Sequence, residues 1–161
     1  MRIFSQKGSK ERLFDMMKKV NKLPIEKKEE KPVKKLNEEV LPINEKNKII
    51  NIFIDFVKEK LELGDDNPRI IISYDNKEAQ EMKSFGKNTP EANEIRVVAI
   101  NRNLADVLRT LGHELVHTKQ YKEGKLKSDS GEDGSEFENE ANSKAGLIMR
   151  EFGKKYPEIF E

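Results

Sequence analysis

The segment Asn103-Leu-Ala-Asp-Val-Leu-Arg-Thr-Leu-Gly-His-Glu-Leu-Val-His117 decides how the rest of the chain is read. Leu104, Val107, Leu108, Leu111 and Leu115 recur at helical spacing, Asn103 suits an N-cap and Asp106 falls in the first turn. The segment is therefore expected to be an amphipathic helix with Asp106, Thr110, His113 and His117 roughly opposite its apolar stripe. The chain has two histidines, and this helix puts them one turn apart. Side chains at i and i+4 lie ~6 Å from each other, which lets both ring nitrogens reach one ion at ~2.0–2.1 Å. Glu114 directly follows the first histidine. H-E-x-x-H on a helix is a zinc-peptidase pattern, in which the two imidazoles ligate and the carboxylate serves as general base.

A catalytic zinc takes three protein ligands and keeps one position for water. The chain has no cysteine and no third histidine, so the remaining donor must be Asp or Glu. Downstream, Ser135-Glu-Phe-Glu-Asn-Glu-Ala-Asn-Ser-Lys-Ala-Gly-Leu-Ile-Met-Arg-Glu-Phe152 opens with a Ser N-cap and carries Glu138 at the capping-box position. At about 100° per residue, Phe137, Ala141, Asn142, Ala145, Ile148, Met149 and Phe152 fall on the same side as Glu138. A lone carboxylate on an inward stripe is costly unless a cation or hydrogen-bond donor meets it. Small Ala141 and Ala145 would let this helix approach the His-bearing one closely. Glu138 is thus the expected third ligand, and Glu140, on the far side, is the alternative. The competing reading is that Glu138 only caps its own helix.

Together the two helices resemble the gluzincin metallopeptidases of the IrrE/ImmA-like kind, in which an H-E-x-x-H helix precedes one bearing an E-x-x-A-N-like motif, here Glu138-Asn-Glu-Ala-Asn142. Asn101 to Gln120, with Ser84-Phe-Gly-Lys87 upstream, is similar to small peptidases encoded by tailed bacteriophages. The likeness runs roughly from Ile70 to Phe152. It implies a minimal zincin-like fold, a Zn2+ cofactor and Glu138 as the ligand. It also implies a bacterial cytoplasmic or virion setting. Gly112 stands where such sequences often carry Ala, and Lys87-Asn-Thr89 replaces a more aromatic stretch.

Composition sets the outer limits. A chain of 161 residues, 35% hydrophobic and 38% charged, has room for one domain of about 110 residues plus an extension. No apolar run of ~18 residues suggests a membrane span, and no apolar core of a signal peptide opens the chain. Zero cysteine excludes disulfide staples. Charge is unevenly spread: residues 1–48 carry 14 Lys or Arg against 8 Asp or Glu, and residues 49–161 carry 17 against 22. Residues 1–43 therefore read as an extension. A short amphipathic helix over 9–23 is followed by a Lys/Glu-rich linker punctuated by Pro24, Pro32 and Pro42. An isolated helix of that length is marginal in water, so the element either docks on the domain or folds on a protein assembly to which it tethers the domain; the alternative is a solvated extension. Its lysines are diluted by glutamates and lack aromatic interleaving, which argues against nucleic-acid binding.

Residues 44–161 are expected to form the domain, of α+β class. A helix capped by Asn44 runs to about Leu63, and strands are read at Arg69–Tyr74, at Ser84–Lys87 and at Glu94–Ile100; Asp75–Lys83 is ambiguous. The His-bearing helix, a polar stretch over 122–134 and the Glu138 helix complete the order. Asp106 or Asn142 could orient a ligating imidazole through its second nitrogen, and Tyr121 could reach the cleft and stabilise an oxyanion. The expected activity is zinc-dependent endopeptidase cleavage of a protein or peptide, with Glu114 as general base and an edge strand of the sheet holding the substrate. The alternative is a catalytically silent zinc-binding protein with a structural or virion-associated role.

Overall fold

The computed structural model describes residues 41–65, 67–126 and 135–160. The helix read over 9–23, the linker after it as far as residue 40, and residues 127–134 of the polar stretch lie outside these, as does the assembly partner expected for the extension. Four α-helices and a three-stranded sheet make the described part an α+β fold. None of its helices is long and apolar enough to cross a membrane.

Helix α1 spans Ile43–Leu61. Its N-cap is Pro42, not Asn44: the Pro42 carbonyl accepts from the Glu45 and Lys46 amides, and proline's fixed φ prepares the first turn without a side-chain cap. The helix stops where Glu62 turns left-handed at φ 51° and the Leu63 amide returns to the Lys58 carbonyl. Ile49, Ile50, Phe53, Ile54, Phe56, Val57 and Leu61 are all buried, so nearly half of the helix faces the core.

Strands β1 (Arg69–Ser73), β2 (Gly86–Thr89) and β3 (Glu94–Val98) lie in the order β1-β3-β2, with β1 parallel and β2 antiparallel to the central β3. The register pairs Ile70 with Ile95, Ile72 with Val97, Gly86 with Val97 and Asn88 with Ile95. Those residues share one face, and the helices cover it. The ambiguous stretch after β1 is the short helix α2, Asn76–Glu81, started by the Asp75 side chain accepting from the Lys77 amide. Its Glu78 reaches back to the Ser73 hydroxyl and the Arg96 guanidinium, pinning the helix to the outer face of the sheet. The second strand begins two residues later than read, because its residues Gly-Lys-Asn-Thr offer no apolar alternation.

Helix α3, Leu104–Lys122, begins as expected with the Asn103 side chain accepting from the Ala105 amide. Helix α4, Glu136–Lys155, begins with Ser135 Oγ accepting from the Glu138 amide. Helix α3 packs against α4, α1, β2 and β3 and is the centre of the domain. Phe152 on α4 anchors the packing: its ring centroid is 5.0 Å from that of Phe53, 5.4 Å from Phe56 and 4.9 Å from Tyr156. Ala141 and Ala145 are fully buried where α4 crosses α3, and this close approach brings Glu138 to the histidines.

Candidate metal centre

The i, i+4 spacing on α3 and the close crossing of α4 bring three side chains to one point. His113 Nε2 and His117 Nε2 are 3.0 Å apart. Glu138 completes the triangle, with Oε2 at 3.2 Å from His113 Nε2 and Oε1 at 3.0 Å from His117 Nε2. Ligands bonded tetrahedrally at ~2.0–2.1 Å stand ~3.3 Å from one another. The three separations come close to that value, and the group could hold a metal ion.

Hydrogen bonding on the outer side of the His117 ring supports the same use. Gln120 Oε1 lies 2.8 Å from His117 Nδ1. A carboxamide oxygen only accepts, so Nδ1 is the donor and Nε2 is the nitrogen turned toward Glu138. Asn142 acts on His113 in the sense that favours its protonated form. With the far nitrogen of His117 occupied by Gln120, both inner nitrogens face the Glu138 carboxylate, an arrangement that a cation can bridge. Burial holds the His113 pKa below its ordinary value, and His117 adds to this, against the opposing effects of Glu138 and Asn142. His113 is thereby kept in the neutral form a metal requires.

Glu114 is buried beside this group, 8% exposed. Burial first, and the charge of Glu138 second, raise its pKa to about 7; a cation on the neighbouring ligands would act in the opposite sense. Its carboxylate faces β2. A Cβ added at Gly86 would stand 2.5 Å from Glu114 Oε1 and 2.7 Å from Thr110 Cγ2, so only glycine lets the strand lie this close. Asn88, two residues along, donates from Nδ2 to the Glu114 carbonyl at 2.8 Å and to Thr118 Oγ1 at 2.9 Å. The edge strand is fastened to the helix that carries both histidines.

Of the residues singled out from the sequence, His113, His117, Glu138, Glu114 and Asn142 come together. Glu140 is turned away, accepting from Gln120 Nε2 at 2.9 Å and pairing with Lys144 at 2.6 Å. Asp106 sits two turns before His113 and makes no hydrogen bond to either ring. The role considered for it falls to Gln120, which the sequence reading missed. Gln120 is 1% exposed and also donates to the Phe137 carbonyl at 3.0 Å, joining His117 to the start of α4. Its signal was positional: three residues after His117, it occupies the same helical face as that ring. Tyr121 is 46% exposed in the last turn of α3 and makes no hydrogen bond to the metal-binding group. Gly86 and Asn88 had no local signal, because their role depends on the sheet order.

No family model matches this chain, and neither a curated protein nor a solved structure does.

Proposed function

We propose that this protein is a zinc-dependent endopeptidase of minimal zincin-like build. The observation that carries the reading is the convergence of His113, His117 and Glu138, with donors 3.0–3.2 Å apart, beside a buried Glu114 that is not part of the triad. Two imidazoles and one carboxylate are a donor set that zinc favours in catalytic sites. Zinc bound there supplies Lewis acidity, making water acidic near neutral pH and polarising a peptide carbonyl.

The chain's own residues account for the rest. Gln120 holds the His117 ring by its outer nitrogen, and Glu138 brings the compensating charge. Glu114, held against Gly86, takes a proton from the attacking water and returns it to the leaving amine. Strand β2 lies at the edge of the sheet alongside Glu114, where an extended substrate would pair with it by strand addition. The likeness to gluzincins and small phage peptidases, and delivery through residues 1–43, belong to the same proposal.

The decisive experiment compares wild type with Glu114→Gln and His117→Ala for zinc content and for cleavage of an unfolded protein. Wild type should bind one zinc and cleave, Glu114→Gln should bind zinc without cleaving, and His117→Ala should lose both. A zinc-loaded wild type with no cleavage of any unfolded substrate would leave the structural zinc protein as the better reading.

A further inference from the structure

Arg102, in the turn between β3 and α3, sits at the Gly86 end of the same edge strand. Its guanidinium donates from Nη1 to the Val98 carbonyl at 2.9 Å, and from Nη2 to Thr110 Oγ1 at 2.9 Å and the Asp106 carbonyl at 3.2 Å. All three acceptors are uncharged, and Arg102 forms no ion pair with any carboxylate among the described residues. The ring of Phe85, 60% exposed, covers one face of the guanidinium at 4.2 Å. Burial works against the positive charge, with Asp106 acting the other way. A guanidinium has five donor hydrogens, and three are engaged here. The side chain is thus locked in place by neutral groups, charged, and still has donors to offer.

Its position relative to the metal centre follows from shared neighbours. Thr110 precedes Glu114 by one helical turn, ~6 Å along the axis, and both side chains press against Gly86. Arg102, Thr110, Gly86 and Glu114 therefore form one continuous wall. An extended chain advances ~3.3 Å per residue, so a substrate lying along β2 passes Arg102 about two or three residues from the bond that Glu114 addresses.

We propose that Arg102, backed by Phe85, is a subsite for a carboxylate, and that the enzyme selects peptides with an acidic residue two or three positions from the scissile bond. The proposal rests on the endopeptidase reading for the path of the substrate. The guanidinium is already ordered and partly desolvated, so a carboxylate gains a charge-assisted pair without the usual cost of fixing a long side chain. A neutral residue there leaves the charge with only the Coulombic influence of Asp106 to offset its burial.

Two measurements on the zinc-loaded full chain test it. In the first, wild type, Arg102→Gln and Arg102→Lys digest a mixture of unfolded proteins, and the cut positions are read by mass spectrometry. Wild-type cuts should carry Asp or Glu two or three residues to one side in clear excess. Arg102→Gln should lose the excess, while Arg102→Lys, which keeps the charge without the planar fork, should retain part of it. Wild-type cuts with no acidic preference, or a preference unchanged in Arg102→Gln, overturn the proposal. In the second, hydroxamate peptides extended to either side carry one Asp walked along an alanine chain, each against its Asn counterpart, and binding is measured on Glu114→Gln protein. One Asp position should bind about tenfold or more tighter than Asn, and the difference should vanish when Arg102→Gln is added. Equal binding at every position overturns the subsite. If the hydroxamates show the preference but wild type cleaves nothing, it is the peptidase reading that has failed.

Discussion

Glu138→Gln removes the charge of the proposed third ligand while leaving the shape of the side chain and the backbone cap from Ser135, which involves only the Glu138 amide. A metal that binds the native state alone stabilises it by RT ln(1 + [L]/Kd), so zinc at 100 times Kd contributes ~2.7 kcal/mol. For a domain of this size that is roughly 10 °C in Tm, at about 4 °C per kcal/mol. Outer partners of a metal ligand are worth 10–100-fold in affinity, and losing a ligand weakens binding by at least the upper end of that range. At the same zinc concentration the variant then sits near its own Kd and gains only ~0.4 kcal/mol, under about 2 °C. The assay is differential scanning calorimetry of chelator-stripped protein with and without zinc. Glu114→Gln should keep the full wild-type increment, because its carboxylate faces Gly86 and is not one of the three converging donors. An increment undiminished in Glu138→Gln, or one lost in Glu114→Gln, would refute the assignment of ligand and base.

Gln120→Leu takes away the acceptor for His117 Nδ1 and the donor to Phe137 and Glu140. Zinc affinity measured by competition with a chromogenic chelator should fall 10–100-fold. Gly112→Ala should be tolerated and stabilise by up to ~1 kcal/mol through helix propensity, because the new Cβ meets Phe53 at 3.4 Å and Ala145 at 3.8 Å; urea unfolding decides it. Glu78 is held below the usual carboxylate range by hydrogen bonds from Ser73 and Arg96. A folded pKa depressed below 4.5 means that stability present above that pH is lost as the pH falls through the folded value. Melts of Glu78→Gln from pH 7 to pH 3 should therefore start lower and decline less than those of wild type.

The helices and the grouping of His113, His117 and Glu138 were readable because their information is local. Periodicity, the Asn103 and Ser135 caps and the H-E-x-x-H spacing lie within a few residues, and Glu138 followed from its place on the inward stripe of α4. The α1 cap was misplaced by two residues because an Asn side chain is the commoner device, whereas here the Pro42 backbone suffices. What escaped depends on partners far along the chain. The strand order β1-β3-β2 is set by a crossover, and Gly86 and Asn88 matter only because β2 is laid on α3; the place of Gln120 three residues after His117 was local, but its bonds to Phe137 and Glu140 were not.

The bare backbone at Gly86 carries a lesson for comparing chains that have diverged beyond overall similarity. Any side chain there collides with the acid on the neighbouring helix, so a descendant of this design can alter almost every surface position and still be obliged to keep that hydrogen in place of a methyl. A glycine on the strand bordering the His-Glu helix would be a better marker of kinship than the motif alone, since it testifies to how the two pieces are assembled.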